Sequence, residues 1–165
     1  MIGVTDMADL KSLGKFEQGA LVAGALTFIL SLFPYYIRAS FDGGNAVPGL
    51  DFSSGTSAWT SYATLGMLLV LVATALVAVR AFAKDALPAG VPWNLVVLAT
   101  AGLGTLLLIL RALTVDGGSG VSVGPGWSGW LLFITSIALT AFAALSFKGS
   151  GEEVPWKGAG EKPAV

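Results

Sequence analysis

The chain has 165 residues, of which 55% are hydrophobic and only 12% charged, with a net charge of −1. Soluble domains carry roughly 25% charged residues. With a mean hydropathy of +0.79, the composition excludes an ordinary water-soluble domain, and the near-neutral charge excludes the basic footprint of a nucleic-acid binder. Cysteine and histidine are both absent. That removes disulfides, Cys/His zinc sites, thiol nucleophiles, imidazole acid–base chemistry and His-ligated haem.

The N-terminal segment, 1–18, mixes charges with Leu10, Leu13 and Phe16. It reads as a cytoplasmic stretch able to form a short interfacial helix, with Asp9 as N-cap. Four apolar stretches follow, over 19–37, 59–79, 93–110 and 129–147, and none holds an Asp, Glu, Lys or Arg. Each is close to the ~20 residues that a spanning helix needs. They are continuously apolar, whereas barrel strands alternate. A cleaved signal peptide is the other reading of the first stretch, but its leader is net negative, its apolar run is long and no A-x-A site follows. Pro34 is expected to kink the outer end of this first span, because it removes a backbone donor. The tail 148–165, rich in Gly, Pro, Glu and Lys, is expected to be disordered and cytoplasmic.

Seven of the nine Lys/Arg (Lys11, Lys15, Arg80, Lys84, Lys148, Lys157, Lys162) fall on one side of these spans, and only Arg38 and Arg111 on the other. The positive-inside rule then places both termini in the cytoplasm of a multi-pass plasma (inner) membrane protein. Aromatic residues fall where interfacial belts are expected. Tyr35, Tyr36, Trp59, Tyr62, Trp127 and Trp130 mark the outer boundary, and Phe16, Phe82, Trp93 and Phe147 the inner one.

The halves repeat. Arg38-Ala39 leads to Asp42-Gly43-Gly44, and Arg111-Ala112 leads to Asp116-Gly117-Gly118. Gly49 to Gly55 leads to Trp59, and Gly120 to Gly126 leads to Trp130, with matching apolar positions between the glycines. The expected fold is therefore an all-α membrane protein, an up-down-up-down bundle of four spans built from two repeated hairpins. The outer loops form a small cap, with Leu50–Phe52 and Val121–Val123 as short strands, and the parallel repeats imply a pseudo-twofold axis along the membrane normal. Arg38 and Arg111 should then sit at equivalent depths.

Small residues recur at helical spacing: Ala20, Gly24, Thr27 and Ser31; Ala63, Gly66 and Ala73; Thr100, Gly102, Gly104 and Thr105; Ser136, Thr140 and Ala144. They serve close helix packing within one bundle, or line a pore or oligomer seam. Gly24, Gly66, Gly102 and Gly104 are the expected packing positions.

Chemistry is mostly absent. No charge is buried in a span to serve as proton relay or voltage sensor, no nucleotide or zinc motif is present, and a serine nucleophile would lack a histidine base. Neither enzymatic activity nor a cofactor or metal is expected. Arg38 and Arg111, with Asp42 and Asp116 nearby, are candidates for holding an anionic lipid headgroup or a partner carboxylate, or else snorkel and pair locally. Trp59, Trp127 and Trp130 are interfacial anchors or a partner-binding aromatic surface.

Gly126-Trp127-Ser128-Gly129-Trp130 ahead of the last span of a four-span chain resembles small actinobacterial tetraspan membrane proteins, including the mycobacterial antigenic tetraspan family. The resemblance covers the layout of residues 15–148, and implies a plasma-membrane envelope protein with no catalytic residues to carry over. The function expected is a non-enzymatic accessory or assembly subunit of a larger membrane complex, with lipids and a protein partner or second copy as its contacts. A carrier for lipids or hydrophobic molecules in the cleft between the hairpins is the alternative, and a channel-forming oligomer the third.

Overall fold

The fold comes from a computed structural model and is described for residues 13–41 and 53–155. In chain order it comprises α1 (Lys15–Ser31), β1 (Ile37–Phe41), β2 (Ser53–Thr56), α2 (Ala63–Phe82), a 3-10 turn (Lys84–Ala86), α3 (Trp93–Leu113), β3 (Val121–Pro125) and α4 (Trp127–Ser150). The described chain is thus mostly helical, with four helices and one three-stranded sheet. The N-terminal cap at Asp9, the strand at Leu50–Phe52 and Asp42 lie outside the described residues.

α2, α3 and α4 have 20, 21 and 24 residues and are long and apolar enough to cross a membrane. Their bounds extend or shift the sequence spans by a few residues. α1 differs more. It has 17 residues and stops at Ser31, rather than running kinked to Ile37. At 1.5 Å per residue its length is ~26 Å, short of the ~30 Å hydrocarbon core. Pro34 explains the stop: its ring would strike the carbonyl four residues back, and it biases Phe33 away from helical angles. The chain turns instead, through Leu32 and Phe33, whose amides bond to the Ile29 and Leu30 carbonyls.

α1 packs on α4 and α2, and α3 packs on α2 and α4, so α1 and α3 are diagonal. Successive helices are antiparallel, as their ends show. Trp59, ahead of α2, donates its Nε1–H to Ser31 Oγ at the end of α1 (3.1 Å). Arg80, in the last turn of α2, donates to Asn94 Oδ1 at the start of α3. At one pole the two long connections meet in a sheet of order β2-β1-β3, antiparallel throughout, in which Arg38 faces Gly55 on one side and Gly124 on the other. Ile37 is buried and Val123 packs on the core, so this side of the sheet closes the bundle.

The interior combines small and hydroxylated residues with larger apolar ones such as Met67, Val70, Leu108, Leu132 and Leu139, and the outside is rich in Leu and Ile. Buried positions include Ala20, Gly24, Thr27 and Ser31 on α1; Ala63, Gly66 and Ala73 on α2; Ala101, Gly104 and Thr105 on α3; and Ser136 and Ala143 on α4. Leu26, Ile29, Leu65, Leu68, Leu103, Leu106, Ile134 and Ile137 are exposed.

Each seam has its own device. Across α1–α4, the Thr27 and Thr135 hydroxyls lie 2.9 Å apart, each also within reach of a carbonyl of its own helix, Ala23 at 2.8 Å and Leu132 at 3.1 Å. A hydroxyl has one proton, so one of the pair donates across the seam and the other to its own backbone. Across α3–α4, Thr105 donates to the Ser136 carbonyl at 3.1 Å or pairs with Thr140 Oγ1 at 3.1 Å. Across α2–α3, Gly66 and Gly104 abut reciprocally: a Cβ on Gly66 would sit 2.9 Å from the Gly104 oxygen, and one on Gly104 2.7 Å from the Gly66 oxygen. Across α1–α2, a Cβ on Gly24 would overlap the Thr74 side chain. Gly102 differs from expectation, since a Cβ there would meet only Thr140 Cγ2 at 3.7 Å, an ordinary contact.

The four glycines should therefore separate on substitution. Gly104→Ala forces two backbones apart and should cost ~1–3 kcal/mol. Gly102→Ala should be neutral or gain up to ~1 kcal/mol of helix propensity. Unfolding titrations in mild detergent check both, with Leu106→Phe on the outer face as the tolerated control.

Candidate functional site

The sheet pole gathers most of the residues singled out in the sequence, but not as a symmetric pair. Arg38 stands on β1, exposed, with glycines opposite it on both neighbouring strands. With Ser40, Ser122, Gly124 and Pro125 it lines an open recess of about 270 Å³. Arg111 instead belongs to the last turn of α3, half-buried, its guanidinium carbon 5.5 Å from the Tyr62 ring centroid. Its Nε is buried without a hydrogen-bond partner. Asp116 is exposed, and no ion pair among the described residues joins it to Arg111. The two arginines are thus structurally different despite their shared sequence context, and the pseudo-equivalence expected of them is not realised.

The tryptophans diverge in the same way. Trp59 is half-buried and tied to Ser31. Trp127 is 51% exposed and meets the Phe33 ring edge-on at 5.4 Å and the Tyr35 ring at 6.4 Å. Trp130 is 58% exposed and leans on Phe133 at 5.9 Å. Phe33, Tyr35, Trp127 and Trp130 form an exposed aromatic ridge at the N-terminus of α4. Tyr36, expected in the interfacial belt, is fully buried. Its hydroxyl donates to the Leu108 carbonyl of α3 at 2.5 Å and its ring stands edge-on to Phe133.

The opposite pole holds a cluster that sequence reasoning missed. The Glu152 carboxylate accepts hydrogen bonds from the backbone amides of Asn94 (3.1 Å) and Leu95 (3.3 Å) and from Asn94 Nδ2 (2.7 Å). These amides are among the unsatisfied donors of the α3 N-terminus, where the helix dipole also favours a carboxylate. No side chain next to Pro92 caps this helix, so a residue 58 positions away does so. Glu152 can only accept and Arg80 can only donate, which fixes the Asn94 amide: NH2 toward Glu152, oxygen toward Arg80. The first part of the tail expected to be disordered is therefore structured. α4 runs to Ser150, and Gly151 closes it in the left-handed conformation (φ 69°) that glycine adopts freely. Trp156 and the rest of the tail lie outside the described residues. The signal was available: Asn94 is a polar amide at the mouth of an apolar run, with Arg80 and Glu152 on the same side by topology.

Two further cavities lie away from the sheet. One of about 470 Å³ opens between α1 and α4, lined by Lys15 and Gln18 at one end and by Val22, Leu26, Ala138 and Phe142 along its length. The other, of about 430 Å³, sits under the α2–α3 connection. Among the described residues no cluster of acidic side chains could hold a metal ion. No known family, curated protein or solved structure matches the chain.

Removing the carboxylate in Glu152→Ala strands three donors and leaves Arg80 and Asn94 without their anchor. It should destabilise the protein by ~1–2 kcal/mol, read as a lower unfolding midpoint in detergent. Glu153→Ala, which makes no such bond, should leave the midpoint unchanged.

Proposed function

We propose that the chain is a four-span protein of the plasma membrane with both termini cytoplasmic, and that it serves as a non-enzymatic accessory or assembly subunit of a larger envelope or membrane complex, in the manner of the small actinobacterial tetraspan proteins that it resembles. The fourth crossing is α1 together with the turn after it, since exposed Leu32, Phe33 and Tyr35 carry its apolar surface past Ser31. The orientation rests on charge. Lys15, Arg80, Lys84 and Lys148 gather at the pole of the Glu152 cluster, against Arg38 and Arg111 at the sheet pole.

The observation that carries the accessory role is the aromatic ridge of Phe33, Tyr35, Trp127 and Trp130. Large rings exposed together at a membrane boundary supply contact area at little entropic cost and are over-represented among interface hot spots. The hydroxyls of Thr27, Thr105, Thr135, Ser136 and Thr140 inside the bundle, by contrast, are engaged with each other and with helix carbonyls. A second reading, binding of a lipid or hydrophobic small molecule between the hairpins, is favoured by the groove between α1 and α4. That groove is lined by Lys15 rather than by the two arginines.

Cysteines at Ser54 and Ser119, both exposed at the sheet pole, should label from outside in sealed cells, and one at Ser150 should label only after permeabilisation. Labelling of Ser150 in sealed cells overturns the orientation. Crosslinking from native membranes should enrich one defined partner that is lost in the Trp127→Ala, Trp130→Ala double variant. Equal recovery of the same proteins by both forms overturns the partner-binding role of the ridge.

A further inference from the structure

The cavity under the α2–α3 connection is walled by Glu17, Arg80, Lys84, Pro88 and Trp93 among its lining residues. Its location follows from the sequence. The apolar run of α2 ends at Phe82, the next residues form a 3-10 turn, and α3 starts at Trp93, so the loop between them folds back at the level where an apolar helix leaves the hydrocarbon. Trp93 Nε1 donates to the Pro88 carbonyl at 3.1 Å, which ties the loop to the helix start. Arg80, in the last turn of α2, and Lys84, at the start of the 3-10 turn, both line it.

Two like charges around one space repel unless an anion joins them. Glu17 supplies one negative charge to the lining but forms no ion pair with either cation. Glu152 is engaged with Asn94 and the α3 amides. Arg80 is also pre-positioned, because the Glu152–Asn94 pair holds one of its nitrogens. Its remaining donors form the fork that suits a phosphate or carboxylate. We propose that this cavity binds the phosphate of an anionic phospholipid headgroup from the leaflet at this pole, with Arg80 and Lys84 as the contacting cations and Trp93 as the interfacial wall. The proposal rests on the membrane placement given above. Cytoplasmic leaflets are rich in anionic lipid, and basic pockets at that depth recognise headgroups.

The test uses the full-length protein in mild detergent and native mass spectrometry with added dioleoylphosphatidylglycerol or dioleoylphosphatidylcholine. The wild type should retain the anionic lipid in preference, and Arg80→Gln with Lys84→Gln should lower that retention about tenfold. Lys84→Gln alone removes an exposed side chain with no described bond, so it keeps the fold and should lower retention several-fold. Lys148→Gln, at the same pole but outside the cavity, should not. In a second arm, inorganic phosphate is titrated against thermal unfolding. Phosphate protection that depends on Arg80 and Lys84, without lipid preference, assigns the same site to a soluble phosphate. Equal lipid retention in wild type and both variants, with no variant-dependent phosphate protection, overturns the site. Release of the protein from membranes by alkaline carbonate would overturn the membrane placement instead, which keeps the two failures distinct.

Discussion

The constraint on which the rest depends is that this bundle is built for an apolar solvent. In water, a four-helix protein buries leucine and exposes polar residues, because burying apolar surface is what drives collapse. Here the inward positions mix Gly, Ala, Ser and Thr with larger apolar side chains such as Met67, Leu108, Leu132 and Leu139, while the outward ones are Leu, Ile and Val rather than polar residues. Lipid tails are as apolar as leucine and give no drive for burying it. What remains to hold the helices together is close contact and interhelical hydrogen bonding. The Gly66–Gly104 approach, the fit of Gly24 against Thr74, and the Thr27–Thr135 and Thr105–Ser136 bonds supply both, one device per seam.

That logic was legible in the sequence because it is local and periodic. A charge-free apolar run and small residues at spacings of three and four need no tertiary knowledge, and three of the four helices fall close to where those signals place them. The first helix shows the limit. Hydropathy runs on through Leu32, Phe33 and Tyr35, so the apolar signal outlasts the helix. Pro34 sets the boundary by sterics, which hydropathy does not register. Gly102 shows another limit. Spacing marks it as a packing glycine, yet it sits at the edge of its seam, and only the helix rotation seen in the structure distinguishes it from Gly104.

The candidate site was less legible, for two physical reasons. Glu152 caps α3 from the far end of the chain, and no spacing rule connects positions 94 and 152. Arg38 and Arg111 mislead in the opposite direction, because similar local sequence meets different surroundings. Pro34 ends α1 well before Arg38, and the chain is free to form β1. α3 has no proline near its end and carries Arg111 as helix, against the ring of Tyr62. The two connections at the sheet pole accordingly contribute unequally to the sheet, two strands from the first and one from the second.

The sheet would be a loose flap without Tyr36. β1 is held by its strand partners, but a three-stranded sheet of four- and five-residue strands is weakly stable by itself. Tyr36 pins its first residue to the bundle at three places: the hydroxyl on the Leu108 carbonyl, the ring on Phe133, and its own carbonyl, which accepts from the Gly126 amide at 3.1 Å. Glycines clear the way for this threading. A Cβ on Gly126 would overlap the Tyr35 carbonyl, one on Gly129 the Tyr36 carbonyl, and one on Gly55 the Pro34 carbonyl. Three glycines on two stretches of chain, β2 and the start of α4, thus give up side chains so that residues 34 to 36 can thread between them. The consequence reaches the surface. Phe33 and Tyr35 flank this crossing and Trp127 opens α4, so the pin that fixes the sheet also fixes the geometry of the aromatic ridge. A partner docking there would meet a preformed surface rather than a mobile loop, and would order little on binding.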